Sequence, residues 1–339
     1  MEDFVLNRRQ ALQAGIALGA LPVATPLGAL AQSKPPVKIR YSEVVRAIYY
    51  APTYVAMTKG FFREAGLDVA LTTAQGGDKS VAALLSNSVD IALAGPESSI
   101  YVQNSDSPTK IPIFGVLTEA DGAMLVGREK VDRFDWQQLK GKEILSIRPG
   151  STPDLFLEAA LRLNGIDPAR DVKLVSNVAN PARMGSWLAG QNRYAIFQEP
   201  DASQLELDGK AHFLASIGEA VGHMDCTSFM ATDKYIRDYP EVIQGWINAI
   251  YKAQQWTASA PISEIAKAIE PFFPGVNQQA LVVGLERLRK FKIWKSTPTI
   301  DPSSLEKLED ILVQGRVLEP AKRVKFADVM RPEFGNKAK

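Results

Sequence analysis

The sequence predicts an α/β protein made of two α/β units followed by a helical region. Three observations predict this class. Strand and helix signals alternate along the first half of the chain, the same series then occurs a second time, and apolar residues recur at helical spacing from Pro240 onward. The chain of 339 residues is also longer than one hydrophobic core usually supports, so we expect two domains.

The first unit alternates short apolar strands with helices. Its predicted strands are Val37 to Tyr41, Leu67 to Thr73 and Val89 to Ala94, and its predicted helices are Pro52 to Met57, Phe61 to Ala65 and Asp78 to Asn87. The last strand is wholly apolar after Asp90, which is typical of a strand buried on both faces of a parallel sheet.

The second unit repeats this order. Its predicted strands are Glu143 to Ile147, Lys173 to Ser176 and Tyr194 to Phe197, and its predicted helices are Thr152 to Asn164 and Pro181 to Ala189. In the helical region that follows, Pro240, Pro261 and Pro302 fall near predicted helix starts, where a missing N–H costs little. We assign the tryptophans of this region to packing: Trp246, Trp256 and Trp294.

The N-terminus has the features of an export signal. Arg8 and Arg9 precede a weakly apolar run at 11–30, which ends in the small-residue pattern Ala29-Leu30-Ala31. The paired arginines resemble a twin-arginine signal, and a general secretion signal explains the same features. We expect residues 1–31 to be removed near Ala31 and the mature protein to be periplasmic.

Charge and reactive residues exclude several functions. The balance of 39 basic and 38 acidic residues, a net charge of +1, gives no reason to expect nucleic acid as a partner. A lone cysteine, Cys226, excludes an internal disulfide. His223 and Cys226 are too few for a structural zinc site, and none of the familiar hydrolase, redox or phosphate-loop motifs is present. We therefore expect no cofactor, no metal and no catalysis.

Polar turns that start helices follow four of the predicted strands, at 73–78, 95–99, 148–153 and 198–200. In parallel α/β sheets, ligands bind beyond the carboxyl ends of the strands, where helix N-termini present unpaired N–H groups. Each turn is also a good helix cap by itself. Because four such turns occur together, the pattern favours a ligand site.

Long stretches of the chain resemble a known family. The segments at 50–69, 76–97, 139–166, 188–206 and 235–256 include YAPTYVAMTKGFFREAGLDV, GGDKSVAALLSNSVDIALAGPE and LAGQNRYAIFQEPDASQLE. They resemble, in the same order, the nitrate, sulfonate and taurine class of ABC-transporter solute-binding proteins, the NMT1/THI5-like group. The likeness covers nearly the whole mature chain.

This resemblance implies a periplasmic binding protein type II fold, with two α/β lobes joined by two crossing strands that act as a hinge. It places 37–118 and 227–339 in lobe 1 and 119–226 in lobe 2. It further implies a monomer that captures a small organic or inorganic solute between the lobes and delivers it to an ABC permease of the inner membrane. Closure is favoured by a ligand that touches both lobes.

The resemblance also implies a set of ligand-binding residues. They are Ser42, Tyr49, Tyr50, Gly76, Gly77, Asp78, Glu97, Ser98, Thr118, Glu119, Ser151, Thr152, Asn177, Gln198 and Glu199. Core packing explains the tyrosines equally well, and helix capping explains Glu199 equally well.

The charge of the ligand stays open at this point. An anion would call for Arg46, Lys79 or Arg148, whereas three glutamates of the predicted site suit a hydrogen-bond donor. A zwitterion, a heterocycle, a sulfonate and an aromatic carboxylate all remain candidates. Two other functions also stay open: an enzyme of the pyrimidine-synthase or menaquinone-pathway type on the same fold, and a periplasmic sensor. The synthases carry a cysteine-rich metal motif that this chain, with one cysteine, does not share.

Overall fold

Ten strands form two sheets in the computed structural model, which describes residues 35–339; the predicted export signal at 1–31 lies outside them. The strands are β1 (Val37–Glu43), β2 (Leu67–Thr73), β3 (Ile91–Ala94), β4 (Ile113–Val116), β5 (Ala123–Gly127), β6 (Glu143–Leu145), β7 (Lys173–Val175), β8 (Tyr194–Gln198), β9 (His212–Ser216) and β10 (Ser228–Met230). The six predicted strands are confirmed, with ends that differ by no more than two residues. The other four, β4, β5, β9 and β10, are not among the predicted elements.

Helices cover the sheets and fill the C-terminal third. They are α1 (Ala51–Thr58), α2 (Phe61–Glu64), α3 (Gly77–Leu85), α4 (Glu97–Gln103), α5 (Thr152–Leu163), α6 (Asn180–Leu188), α7 (Asp201–Leu207), α8 (Ile217–Val221), α9 (Asp233–Asp238), α10 (Pro240–Ser259), α11 (Ile262–Ile269), α12 (Gln278–Lys290), α13 (Pro302–Gln314), α14 (Phe326–Val329) and α15 (Pro332–Gly335). The prolines begin helices as predicted: Pro240 and Pro302 are the first residues of α10 and α13, and Pro261 directly precedes α11. Among residues 35–339, no helix is long and apolar enough to cross a membrane.

The two sheets share one topology. The first has the order β2-β1-β3-β10-β4, and the second has the order β7-β6-β8-β5-β9. In each sheet the first three strands are parallel and the remaining two pairings are antiparallel. Each sheet with the helices that follow its strands forms a lobe, so the predicted two-lobe α/β fold is confirmed.

Two short segments at 117–122 and 222–227 connect the lobes. They are hydrogen-bonded to each other: the N–H of Leu117 donates to the carbonyl of Thr227 at 2.8 Å, and the N–H of Cys226 donates to the carbonyl of Thr118 at 3.0 Å. A third segment lies beside them, because Thr118 also pairs with Trp294 in an antiparallel bridge. The predicted crossing strands are thus short paired segments outside the regular sheets.

The tryptophans of the helical region pack as predicted. Trp246 is fully buried on the first sheet, with its ring centroid 4.9 Å from that of Tyr41. Trp256 is half-buried, and the indole N–H of Trp294 donates to the carbonyl of Tyr49 at 2.9 Å. Trp294 therefore attaches the third hinge segment to the end of the first sheet.

The C-terminal helices contact both lobes. Helix α12 packs against α7 of the second lobe, where the Arg287 guanidinium lies 2.6 Å from the Glu199 carboxylate and 2.5 Å from the Glu206 carboxylate. Helix α13 packs against α5, also of the second lobe. The chain then returns to the first lobe, where α14 packs on α4 and α15 on β4.

Candidate functional site

A cavity of about 310 Å³ lies between the two lobes. Its walls come from residues that follow β1, β2 and β3 in the first sheet and β6, β7 and β8 in the second. The parallel strands of both sheets thus direct their carboxyl ends into one space, which is the arrangement that positions ligands in α/β proteins. The turns predicted to form a ligand site do meet in the structure.

The wall from the first lobe begins with a glycine turn between β2 and α3. Gly76 has an extended backbone, and a Cβ there would lie 2.8 Å from an Asp78 carboxylate oxygen. Helix α3 starts at Gly77 with no side-chain cap, so its first N–H groups remain available at the cavity. Lys79 and Arg148 are exposed at the mouth, and the Arg148 guanidinium lies 3.5 Å from Asp78 across the lobes.

Glu97 and Thr152 join the lobes beside the cavity. Glu97 begins α4 in the first lobe and is 5% exposed, and its carboxylate accepts hydrogen bonds from the hydroxyl and from the N–H of Thr152, the latter at 3.2 Å. Burial raises the pKa of Glu97. Gly95 is required at this place because any Cβ would overlap both side chains. A second contact, from the Tyr101 hydroxyl of α4 to the Gly150 carbonyl before α5 at 2.9 Å, also joins the two lobes.

The inner wall lies on the hinge. Asp121 on the first crossing segment is 5% exposed, and burial raises its pKa to about 7. Tyr49 and Tyr50 are buried beside it, with their hydroxyls 2.8 Å apart, and Cys226 faces the cavity from the second crossing segment. Burial also raises the pKa of the Cys226 thiol, so this thiol stays protonated and unreactive.

Apolar side chains complete the lining. They are Val44 and Val45 after β1 and, in the second lobe, Ile147, Pro153, Val178, Ala179 and Pro181. A cavity with an apolar majority and a few converging polar groups is typical of small-molecule sites. Among residues 35–339, no group of three or more His, Cys, Asp or Glu side chains is placed to hold a metal ion.

Ten of the fifteen predicted site residues line the cavity. They are Tyr49, Tyr50, Gly76, Gly77, Asp78, Glu97, Ser151, Thr152, Asn177 and Gln198. The tyrosines combine both proposed roles, because they are buried in the core and also reach the cavity.

The other five lie outside the lining, and four of them have a side-chain partner there. The Ser42 hydroxyl lies 2.8 Å from that of Ser80, and Ser98 is buried in the first turn of α4. The Thr118 hydroxyl accepts from the N–H of Thr227 at 2.9 Å and so ties the crossing segments together. Glu119 is half-buried, 3.6 Å from an imidazole nitrogen of His223.

Glu199 is the fifth of these residues. It is fully buried and bound by Arg287 of α12, so its charge is already neutralised within the protein. Arg46, one of the basic residues considered for an anion, is likewise paired, with its guanidinium 2.7 Å from Glu43.

Several lining residues were not predicted. Gln75 lies in the turn predicted at 73–78 but is not among the fifteen predicted residues. Ser176 and Asn180 follow β7, and the Asn180-Pro181 pair at the start of α6 is a helix-start signal that points to this turn. Asp121, Cys226 and Thr227 lie on the crossing segments, where no local sequence pattern marks a site.

Two α/β lobes of this topology, connected by a paired hinge and enclosing a cavity at their strand ends, form the fold of type II periplasmic binding proteins. Among solved structures, the alkanesulfonate-binding protein SsuA from Xanthomonas axonopodis pv. citri, bound to MOPS, matches with a TM-score of 0.71 at 18% identity over 88% of this chain and 99% of its own. The similarity at this level establishes the fold.

The model of the NMT1-like family matches residues 30–270, and the chain belongs to this family. YtlA of Bacillus subtilis (strain 168), whose name gives it the provisional role of a binding protein, is 36% identical over 320 residues, 94% of this chain and 95% of its own. The 4-amino-5-hydroxymethyl-2-methylpyrimidine phosphate synthase THI11 of Saccharomyces cerevisiae is 24% identical over 68% of this chain and 69% of its own.

Proposed function

We propose that this protein is an exported solute-binding protein that closes its two lobes around a small molecule and delivers it to an ABC importer. The observation that carries the proposal is the cavity between the lobes, with walls from six strand ends. The hydrogen bonds from Thr152 to Glu97 support a closed form in which both lobes act on one ligand.

We assign 37–118 and 227–339 to the first lobe and 119–226 to the second. The sheet membership supports these bounds, because β1 to β4 and β10 belong to one sheet and β5 to β9 to the other. By these bounds α12 and α13 belong to the first lobe, yet they contact α7 and α5 of the second lobe. These contacts restrain the movement of one lobe relative to the other.

Export and monomeric action belong to the same proposal. The paired arginines and the small-residue pattern at Ala31 support removal of the first 31 residues and a periplasmic location. The exported monomer changes between an open and a closed form, and the ligand favours the closed form. The permease recognises the two lobes in this closed form.

The test is a thermal-shift screen of the purified chain from Gln32. The panel contains sulfonates, nitrate, taurine-like zwitterions, aminopyrimidines and aromatic carboxylates. A compound at ~100 times its dissociation constant stabilises the folded state by about 2.7 kcal/mol, which raises the melting temperature by a few degrees.

We expect one chemical class to raise the melting temperature and to be recovered chemically unchanged from the protein. Conversion of a panel compound during incubation would contradict a purely binding role and favour an enzyme related to the yeast synthase. Small-angle X-ray scattering of the same samples measures closure directly, as a smaller radius of gyration with ligand.

A further inference from the structure

The Asp121 carboxylate has two oxygens, and only one of them accepts a hydrogen bond from residues 35–339. Its side chain is 5% exposed and lines the cavity. One carboxylate oxygen accepts the N–H of Ala123 at 2.8 Å, and the other has no partner among residues 35–339. Gly218 of α8 packs closely against the backbone of Asp121, because a Cβ on Gly218 would lie only 2.8 Å from the Asp121 nitrogen. This packing holds the Asp121 backbone in place. The free oxygen therefore has a defined position in the cavity.

The neighbours of Asp121 do not supply the missing donor. Tyr49 packs against the hinge, since a Cβ on Gly122 would lie 2.7 Å from its ring, but its hydroxyl donates to Tyr50. Glu97, which also lines the cavity, is a second buried acid whose oxygens are occupied by Thr152. Of these two buried acids, only Asp121 keeps a carboxylate oxygen that accepts no hydrogen bond from residues 35–339.

The basic residues of the cavity are placed elsewhere. Lys79 and Arg148 are both exposed at the mouth, and Arg148 lies beside Asp78. Burial raises the pKa of Asp121 to about 7, and the nearby charge of Glu97 adds to this rise, with no cation acting against it. A carboxylate buried without a positive partner is unfavourable, and a ligand that brings one gains a charge-assisted hydrogen bond.

We propose that Asp121 selects the ligand, by binding a protonated nitrogen that donates an N–H hydrogen bond to its free carboxylate oxygen. This inference rests on the proposed function and narrows its ligand to a small cation or zwitterion. The cationic end lies on the inner wall beside Asp121. The rest of the molecule lies against the apolar lining, and an anionic group, if present, lies near the mouth with Lys79 and Arg148.

The test uses a bacterial metabolite extract divided on a strong cation exchanger at acid pH. The retained fraction contains amines, amidines and zwitterionic amines, and the unretained fraction contains neutral and anionic compounds. Each fraction is titrated in thermal-shift assays against the wild-type chain, Asp121→Asn and the control Asp132→Asn, which replaces an exposed aspartate. Melting without ligand verifies that each variant is folded.

We expect the retained fraction to raise the melting temperature of the wild type and of Asp132→Asn, while Asp121→Asn needs roughly 10- to 100-fold more of it, the loss expected for one charge-assisted hydrogen bond. Stabilisation by the unretained fraction, or an equal response of Asp121→Asn, overturns the role of Asp121 and leaves the solute-binding function standing. If neither fraction stabilises the wild type, the proposed function itself is contradicted, and this inference falls with it.

Discussion

Replacing Asp121 by asparagine is expected to change how the stability of the ligand-free protein depends on pH. Asparagine has nearly the same shape and keeps an oxygen that accepts the N–H of Ala123. It removes the ionisable group, whose pKa rises through burial from 3.8 to about 7. The substitution therefore isolates the cost of an ionised carboxylate on the inner wall.

The sign and size follow from the two pKa values. The folded state binds the proton of Asp121 more tightly than the unfolded chain does, so this contribution to stability is fully present below about pH 3.8 and is lost as the pH rises to about 7. Each pH unit in this window changes the free energy of unfolding by about 1.4 kcal/mol. Between about pH 5 and about pH 7, Asp121→Asn should gain ~2 kcal/mol relative to the wild type.

Urea unfolding at about pH 5, about pH 7 and about pH 8 measures this gain. The difference between variant and wild type should rise steeply up to about pH 7 and level off near about pH 8, where both states of the wild type are ionised. Asp132→Asn, at an exposed position, should show no such rise. A difference between Asp121→Asn and wild type that is the same at every pH would refute the reasoning.

Two further substitutions test closure and interlobe packing. Gly95→Ala places a methyl group on the side-chain hydrogen bond that joins the lobes, so ligand affinity should fall roughly 10-fold or more and the radius of gyration should rise. Its control, Gly185→Ala, meets open space and should leave both unchanged. Arg287→Met leaves Glu199 buried without its ion pair and should cost about 3–5 kcal/mol in urea unfolding, whereas the exposed Lys290→Met on the same helix should cost less than about 0.5 kcal/mol. An Arg287→Met loss no larger than that of Lys290→Met would contradict this account.

The strand ends explain why part of the site could be predicted. Glu97 and Thr152 each follow a strand and begin a helix, and local signals of this kind mark positions at the carboxyl edge of a parallel sheet. Glu199 has the same local signal, yet it is bound by Arg287, a residue 88 positions further along the chain. The sequence pattern near Glu199 contains no information about that partner, so the prediction placed it in the ligand site.

The sequence by itself determined the α/β class, the order of the elements, the helix starts at proline and the turns that form the cavity, because these depend on periodicity and on the chemistry of neighbouring residues. Only the tertiary structure decided which acids face the cavity. Asp121 lies on a hinge segment with no local signal, and its exposure to the cavity depends on how two segments about a hundred residues apart pair between the lobes. Burial and charge pairing depend on contacts between residues that are distant in sequence. These contacts give Glu199 a structural ion pair with Arg287 and leave Asp121 facing the cavity.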